Sequence, residues 1–131
     1  MTTTIYDKLR FNSRGLVAAI AQQYDTKEVL MMAWMSQDAI AETLSTGYVT
    51  YYSRSRKALW RKGESSGQVQ RLLDMRLDCD GDALLLLVDQ TGVACHTGRK
   101  SCFYRAQRGP ELAEILPQEV DPKKLYGHDH D

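Results

Sequence analysis

The sequence predicts an α+β domain, a mostly antiparallel β-sheet carrying one main helix at about residues 37–46. Three observations lead there. Apolar and β-branched runs recur in pairs joined by turn-forming residues. A single capped segment of helical period interrupts them. The 131 residues form one domain of ordinary size, with no internal repeat and no Pro/Gly-rich linker.

The elements follow in order. Leu16 to Gln23 is small and apolar, Asp25-Thr26-Lys27-Glu28 supplies turn chemistry, and Val29 to Met35 is apolar again, which predicts a β-hairpin. Ser36 is placed to cap a helix whose first turn carries Asp38. Ala39, Ile40, Thr43 and Leu44 share its apolar face, and Gly47 ends it in a left-handed conformation. Tyr48 to Tyr52 is aromatic and β-branched, the composition of a strand. Ser53 to Gly67 breaks the pattern and reads as a polar, basic loop. Val69 to Asp78 and Ala83 to Asp89 form a second hairpin about the tight turn Asp80-Gly81-Asp82. A short aromatic strand is expected at Phe103-Tyr104, and one or two helical turns between Glu111 and Leu116. The division expected is a single domain over 1–108, followed by a C-terminal tail, 109–131, that is partly helical or disordered.

Composition narrows the function. Seventeen basic side chains balance seventeen acidic ones, so the chain lacks the basic excess of proteins that coat nucleic acid or anionic membrane. Its apolar runs, Ala83 to Val88 among them, are far short of the ~20 residues of a membrane helix. The N-terminus has no basic region followed by an apolar stretch, which points to the cytoplasm. Three cysteines are too few, and odd in number, for a disulfide framework.

Those cysteines, Cys79, Cys95 and Cys102, are either core filling or soft ligands for zinc. Three of them suit an open, catalytic site better than a closed structural one. Asp78, Asp80 and Asp82 crowd negative charge at a turn, which suits a hard cation such as magnesium; the other reading is a solvated acidic turn. In an extended segment these three would share one face, with Cys79 on the other. His96 follows Cys95 in a Gly/Ser/Thr-rich loop and is either structural, a proton shuttle or a fourth ligand. His128 and His130 fit a solvated terminus better than a chelating site. Arg54, Arg56, Lys57, Arg61 and Lys62 interleave with Tyr51, Tyr52 and Trp60. That pattern serves a nucleic-acid surface, a phosphorylated small-molecule site or a solvated loop, and the neutral net charge with the adjacent acidic triad favours the small molecule.

Three segments, Trp60-Arg61-Lys62-Gly63-Glu64-Ser65-Ser66-Gly67, Leu77-Asp78-Cys79-Asp80-Gly81-Asp82-Ala83-Leu84 and Ala94-Cys95-His96-Thr97-Gly98-Arg99-Lys100-Ser101-Cys102-Phe103, occur in the order of one known family. Together they resemble the phosphoribosyl-AMP cyclohydrolases of histidine biosynthesis, over about Leu9 to Arg105. The resemblance implies an obligate-type homodimer that opens the adenine ring of N1-(5-phosphoribosyl)-AMP at the N1–C6 bond with a zinc-activated water, magnesium assisting. It implies zinc on Cys79, Cys95 and Cys102, with Cys79 from the other subunit, magnesium on Asp78, Asp80 and Asp82, and proton transfer by His96. Substrate contacts are expected at Arg54, Ser55, Trp60, Lys62, Gly63, Ser65, Ser66, Thr97 and Arg99. The expected partner is a small phosphorylated nucleotide, with no nucleic acid and no membrane. Two alternatives are a zinc aminohydrolase acting on another purine nucleotide, which would release ammonia, and a zinc-stabilised nucleic-acid-binding module, whose binding would fall steeply with salt.

Overall fold

The computed structural model describes residues 2–126, so His128 and His130 lie outside the described residues. Among the described residues, a 3-10 turn at Ile5–Asp7 is followed by eight strands and two α-helices in the order β1 (Val17–Gln23), β2 (Val29–Met35), α1 (Gln37–Thr46), β3 (Thr50–Ser53), β4 (Ala58–Arg61), β5 (Gln70–Leu77), β6 (Ala83–Gln90), β7 (Arg105–Arg108), β8 (Glu111–Glu114) and α2 (Pro122–Tyr126). The α+β class holds, with one main helix at the predicted place.

Six strands form one sheet in the order β4-β3-β2-β1-β6-β5, antiparallel except between β1 and β6. The sheet is curled. Val49 N–H donates to the Gln70 carbonyl at 3.0 Å and Leu72 N–H to the Gly47 carbonyl at 2.8 Å, so the chain entering β3 meets the outer strand β5. Val17, Ala19 and Ala21 alternate inward from β1. They meet Leu30 and Met35 of β2, Leu84, Leu86 and Val88 of β6, and Tyr51 of β3 in one buried core. Small residues on β1 leave room for the larger side chains of its neighbours, as close packing requires.

Ser36 caps α1, its hydroxyl accepting the Ala39 N–H at 3.2 Å, and Gly47 ends it at φ 81°. The helix buries Ala39, Ile40 and Thr43. Leu44, expected on that face, is exposed. At about 100° per residue it lies roughly 90° from the centre of the buried arc, on the flank of the helix.

Three further expectations are corrected. The basic loop contains β4, because Ala58-Leu59-Trp60 is apolar enough to pair with β3 in a hairpin. The strand expected at Phe103-Tyr104 begins at Arg105, and Glu111–Glu114 is strand β8 rather than helix. Gly109 at φ 58° supplies the turn that makes β7 and β8 a two-stranded unit. Among the described residues, no helix is long and apolar enough to cross a membrane.

Candidate active site

The acidic segment between β5 and β6 is a turn, not an extended strand, and the turn gathers the carboxylates. Asp78 Oδ1 accepts the N–H groups of Asp82 at 3.0 Å and Ala83 at 3.2 Å. Gly81 sits at φ 77°, and a Cβ there would collide with the Lys8 carbonyl. Ligand oxygens of Asp78, Asp80 and Asp82 lie within 4.8 Å of one another, all three exposed. Desolvation pushes Asp78 up, but the N–H groups of Ala83 and Asp82 outweigh it and hold the carboxyl below its usual value. Asp82 is pushed up, first by its hydrogen bond to Asp78 and then by that neighbour's charge. Crowding of this kind is relieved by a cation, and the donor set is all oxygen, so the residues fit a hard divalent ion. A cavity of about 400 Å³ beside the turn is lined by Lys8, Arg10 and Asp78–Gly81.

Cys95 and Cys102 come together at a second place. The loop after β6 folds back, with Cys95 N–H donating to the Arg99 carbonyl at 3.1 Å and Gly98 N–H to the Cys95 carbonyl at 3.0 Å. Its far end is fixed to β2, where Cys102 N–H donates to the Leu30 carbonyl at 2.7 Å and the Ser101 hydroxyl to the Val29 carbonyl at 2.7 Å. The Thr97 hydroxyl donates to Cys95 Sγ at 3.1 Å. Desolvation, then the charge and hydrogen bond of Cys95, push the Cys102 thiol up to about 12, with Lys62 opposing. Lys62 itself is buried, its Nζ donating to the Ala94 carbonyl at 2.6 Å. Without a metal the thiol form of Cys102 is therefore favoured, Lys62 being the cation that opposes this, and two adjacent sulfur donors are the soft donor set that fits a zinc ion.

Cys79 is not brought to this pair. Among the described residues, the aspartates are the one group of three ligand atoms that a single chain gathers. Cys79 rides on the acidic turn that precedes β6, whereas the Cys95 loop leaves the strand's other end. Eight residues of extended chain span roughly 25 Å. His96 stands exposed on the Cys95 turn.

The remaining candidates divide. Trp60 packs on Tyr51 with ring centroids 5.2 Å apart. Gly63 is buried at φ 85°, and a Cβ there would lie 2.5 Å from the Gln68 backbone. Ser65 is exposed, and the Ser66 hydroxyl accepts the Gln68 N–H at 3.2 Å. Arg54 lies over the Trp34 ring at 5.0 Å and, with Ser55 and Arg14, lines a cavity of about 400 Å³. Arg99 is turned away to the C-terminal segment, onto Glu114 and the Leu116 carbonyl. Arg14, Lys8 and Arg10 were missed by sequence reasoning. The Asn12-Ser13-Arg14-Gly15 turn chemistry was the available signal for Arg14, whereas nothing local marks Lys8 or Arg10 as neighbours of a turn some seventy residues later.

A family model described as phosphoribosyl-AMP cyclohydrolase matches residues 31–104. The chain belongs to the phosphoribosyl-AMP cyclohydrolase family. It is 63% identical over 131 residues to the phosphoribosyl-AMP cyclohydrolase of Rhodospirillum centenum, covering 97% of this chain and 98% of that protein. It is 64% identical over 124 residues to that of Granulibacter bethesdensis, covering 94% and 97%. With the protein of the same name from Alkalilimnicola ehrlichii the identity is 66% over 118 residues, covering 90% and 83%. This member of the cyclohydrolase family is therefore an enzyme, and the matched span contains the β3–β4 hairpin, the acidic turn and both cysteines of the Cys95 pair.

Proposed function

We propose that the chain hydrolyses N1-(5-phosphoribosyl)-AMP, opening the adenine ring between N1 and C6 as a step of histidine biosynthesis, in the cytoplasm. The observation that carries the chemical part is the pairing of Cys95 and Cys102 beside buried Lys62. Water adds through its oxygen to C6, the N1–C6 bond breaks, N1 takes up a proton, and one water is consumed per turnover. Cys95 and Cys102 would hold a zinc ion, which when bound would supply the Lewis acidity that makes a water nucleophilic at neutral pH. His96, exposed next to Cys95, relays the proton between the attacking water and N1. Thr97 orients the Cys95 sulfur through its hydroxyl. Asp78, Asp80 and Asp82 would hold a magnesium ion, which when bound would counter the substrate's negative charge. Arg54, with Ser55 and Arg14, offers a separate cationic pocket for a phosphate, and the hydroxyls of Ser65 and Ser66 after Gly63 are further candidate donors to the substrate. Trp60 offers an aromatic edge to the base.

The active unit is a homodimer. Cys79 lies on the acidic turn, at the opposite end of β6 from the loop of Cys95 and Cys102. A second copy, running the other way, supplies the third thiolate without refolding either chain. The reading is tested by adding N1-(5-phosphoribosyl)-AMP to the protein with zinc and magnesium, and again after chelation. A change in ultraviolet absorbance that chelation abolishes is expected; no turnover by folded, metal-replete protein overturns it.

A further inference from the structure

The mechanism above leaves the C-terminal segment unused, yet that segment grips the loop carrying Cys95 and His96 at three successive residues. Gln118 Nε2 donates to the Thr97 carbonyl at 2.8 Å. The backbone N–H groups of Glu119 and Val120 both donate to the Gly98 carbonyl, at 2.8 and 3.2 Å. Gly98 is buried at φ 85°, and a Cβ there would collide with the Val120 carbonyl, so the two backbones pack at the closest approach that glycine permits. Arg99 Nε donates to the Leu116 carbonyl at 3.0 Å, and the guanidinium pairs with Glu114 at 3.1 Å while lying 4.1 Å from the Tyr104 ring. Behind the loop, Leu125 of α2 packs with Val93 and Val120 in a small core of its own.

These contacts fall on Thr97, Gly98 and Arg99, the residues that directly follow Cys95 and His96 in the same turn. Within the turn the backbone bonds close Cys95 onto Gly98 and Arg99, so any movement of residues 97–99 is passed directly to Cys95 and His96. The Arg99 side chain is only 12% exposed, its N–H edge occupied by Glu114 and the Leu116 carbonyl of the segment and its face by Tyr104. A guanidinium so engaged is a poor candidate to meet a phosphate and a good one to hold a loop.

We propose that residues 114–125 are a positioning strap for the Cys95–His96 loop, with Arg99 as its principal anchor, so that Arg99 is a positioning residue acting on the reaction through loop geometry. This rests on the reading of that loop as the site of chemistry. Small misplacements of catalytic groups cost rate far more than they cost binding.

The test uses Arg99→Ala, Arg99→Lys and Glu114→Gln in the full-length protein, the last at an exposed position that leaves the core intact. Steady-state kinetics are read with N1-(5-phosphoribosyl)-AMP, and alkylation of Cys95 by iodoacetamide is followed by mass spectrometry in the metal-free protein. For Arg99→Ala the expected result is kcat lowered about tenfold at nearly constant KM, with Cys95 alkylated several-fold faster because the loop opens more often. Arg99→Lys restores part of both, and Glu114→Gln shifts both in the same direction by less. A KM raised about tenfold at constant kcat would mean that Arg99 touches substrate, and overturns the proposal. So does unchanged alkylation with unchanged kcat in Arg99→Ala, or, if that variant does not fold, in Glu114→Gln. Absence of turnover by the unmodified protein counts against the proposed activity alone, since the alkylation rates still judge the strap.

Discussion

Tyr51 donates a 2.7 Å hydrogen bond to Gln70 Oε1, and both side chains are fully buried. Gln70 in turn donates to Gln90 Oε1 at 2.8 Å. The bond ties β3 to β5 at the seam where the curled sheet meets itself, and Trp60 packs on the same tyrosine ring. Replacing Tyr51 by Phe leaves a buried amide oxygen without its donor, at a cost of about 1–3 kcal/mol. Urea unfolding checks this; an unchanged midpoint contradicts it.

The same residue sets an alkaline limit. Burial, and then the charge of Cys102, push the Tyr51 hydroxyl above its ordinary value of 10. The folded chain therefore holds a proton that the unfolded chain releases, so the contribution is intact below pH 10 and is lost as pH rises beyond it. Phenolate absorbance is expected to show one tyrosine ionising only together with unfolding, and Tyr51→Phe to remove that step.

Cys79→Ala and Cys102→Ala are each expected to be inactive. Mixed, unfolded and refolded together, they recover about a quarter of normal activity, because half of the dimers are mixed and each has one intact site of two. No recovery, with hybrid dimers present, rejects the shared site.

Asp82→Asn removes the carboxyl that its hydrogen bond to Asp78, and then that neighbour's charge, push up. Asp82 holds its proton more tightly when folded, so in the metal-free protein its contribution to stability falls as pH rises above the ordinary carboxylate range. The variant is expected to match or exceed the parent in thermal midpoint without metal at neutral pH. It should also lose the upward shift that added magnesium gives the parent. Equal magnesium shifts in both proteins reject the acidic turn as an ion site.

Much of this was legible in the sequence. Ser36 and Gly47 mark the ends of α1, and turn chemistry at residues 25–28 and 80–82 sets both long hairpins, because local signals decide local structure. The three motifs located the acidic turn and the cysteine loop. What escaped was relational. Basic residues masked β4, since its pairing with β3 depends on Trp60 reaching Tyr51 across the hairpin. The inward turn of Lys62 and the capture of Arg99 depend on Ala94, Leu116 and Glu114, partners that no spacing rule names. The strap itself looked like a tail, because four-residue strands and a five-residue helix give too short a pattern to read.

The one parallel pair in the main sheet has a bearing on how the chain is made. Ala18 sits beside Ala83, so the first strand to leave the ribosome waits for the sixth before its second edge is covered. Until then the β1–β2 hairpin presents an apolar, unsatisfied flank, and closing that long loop is the slow, entropy-limited event of folding. Nascent chains halted before residue 83 are the form most exposed to aggregation, and it is there that a chaperone has most to protect.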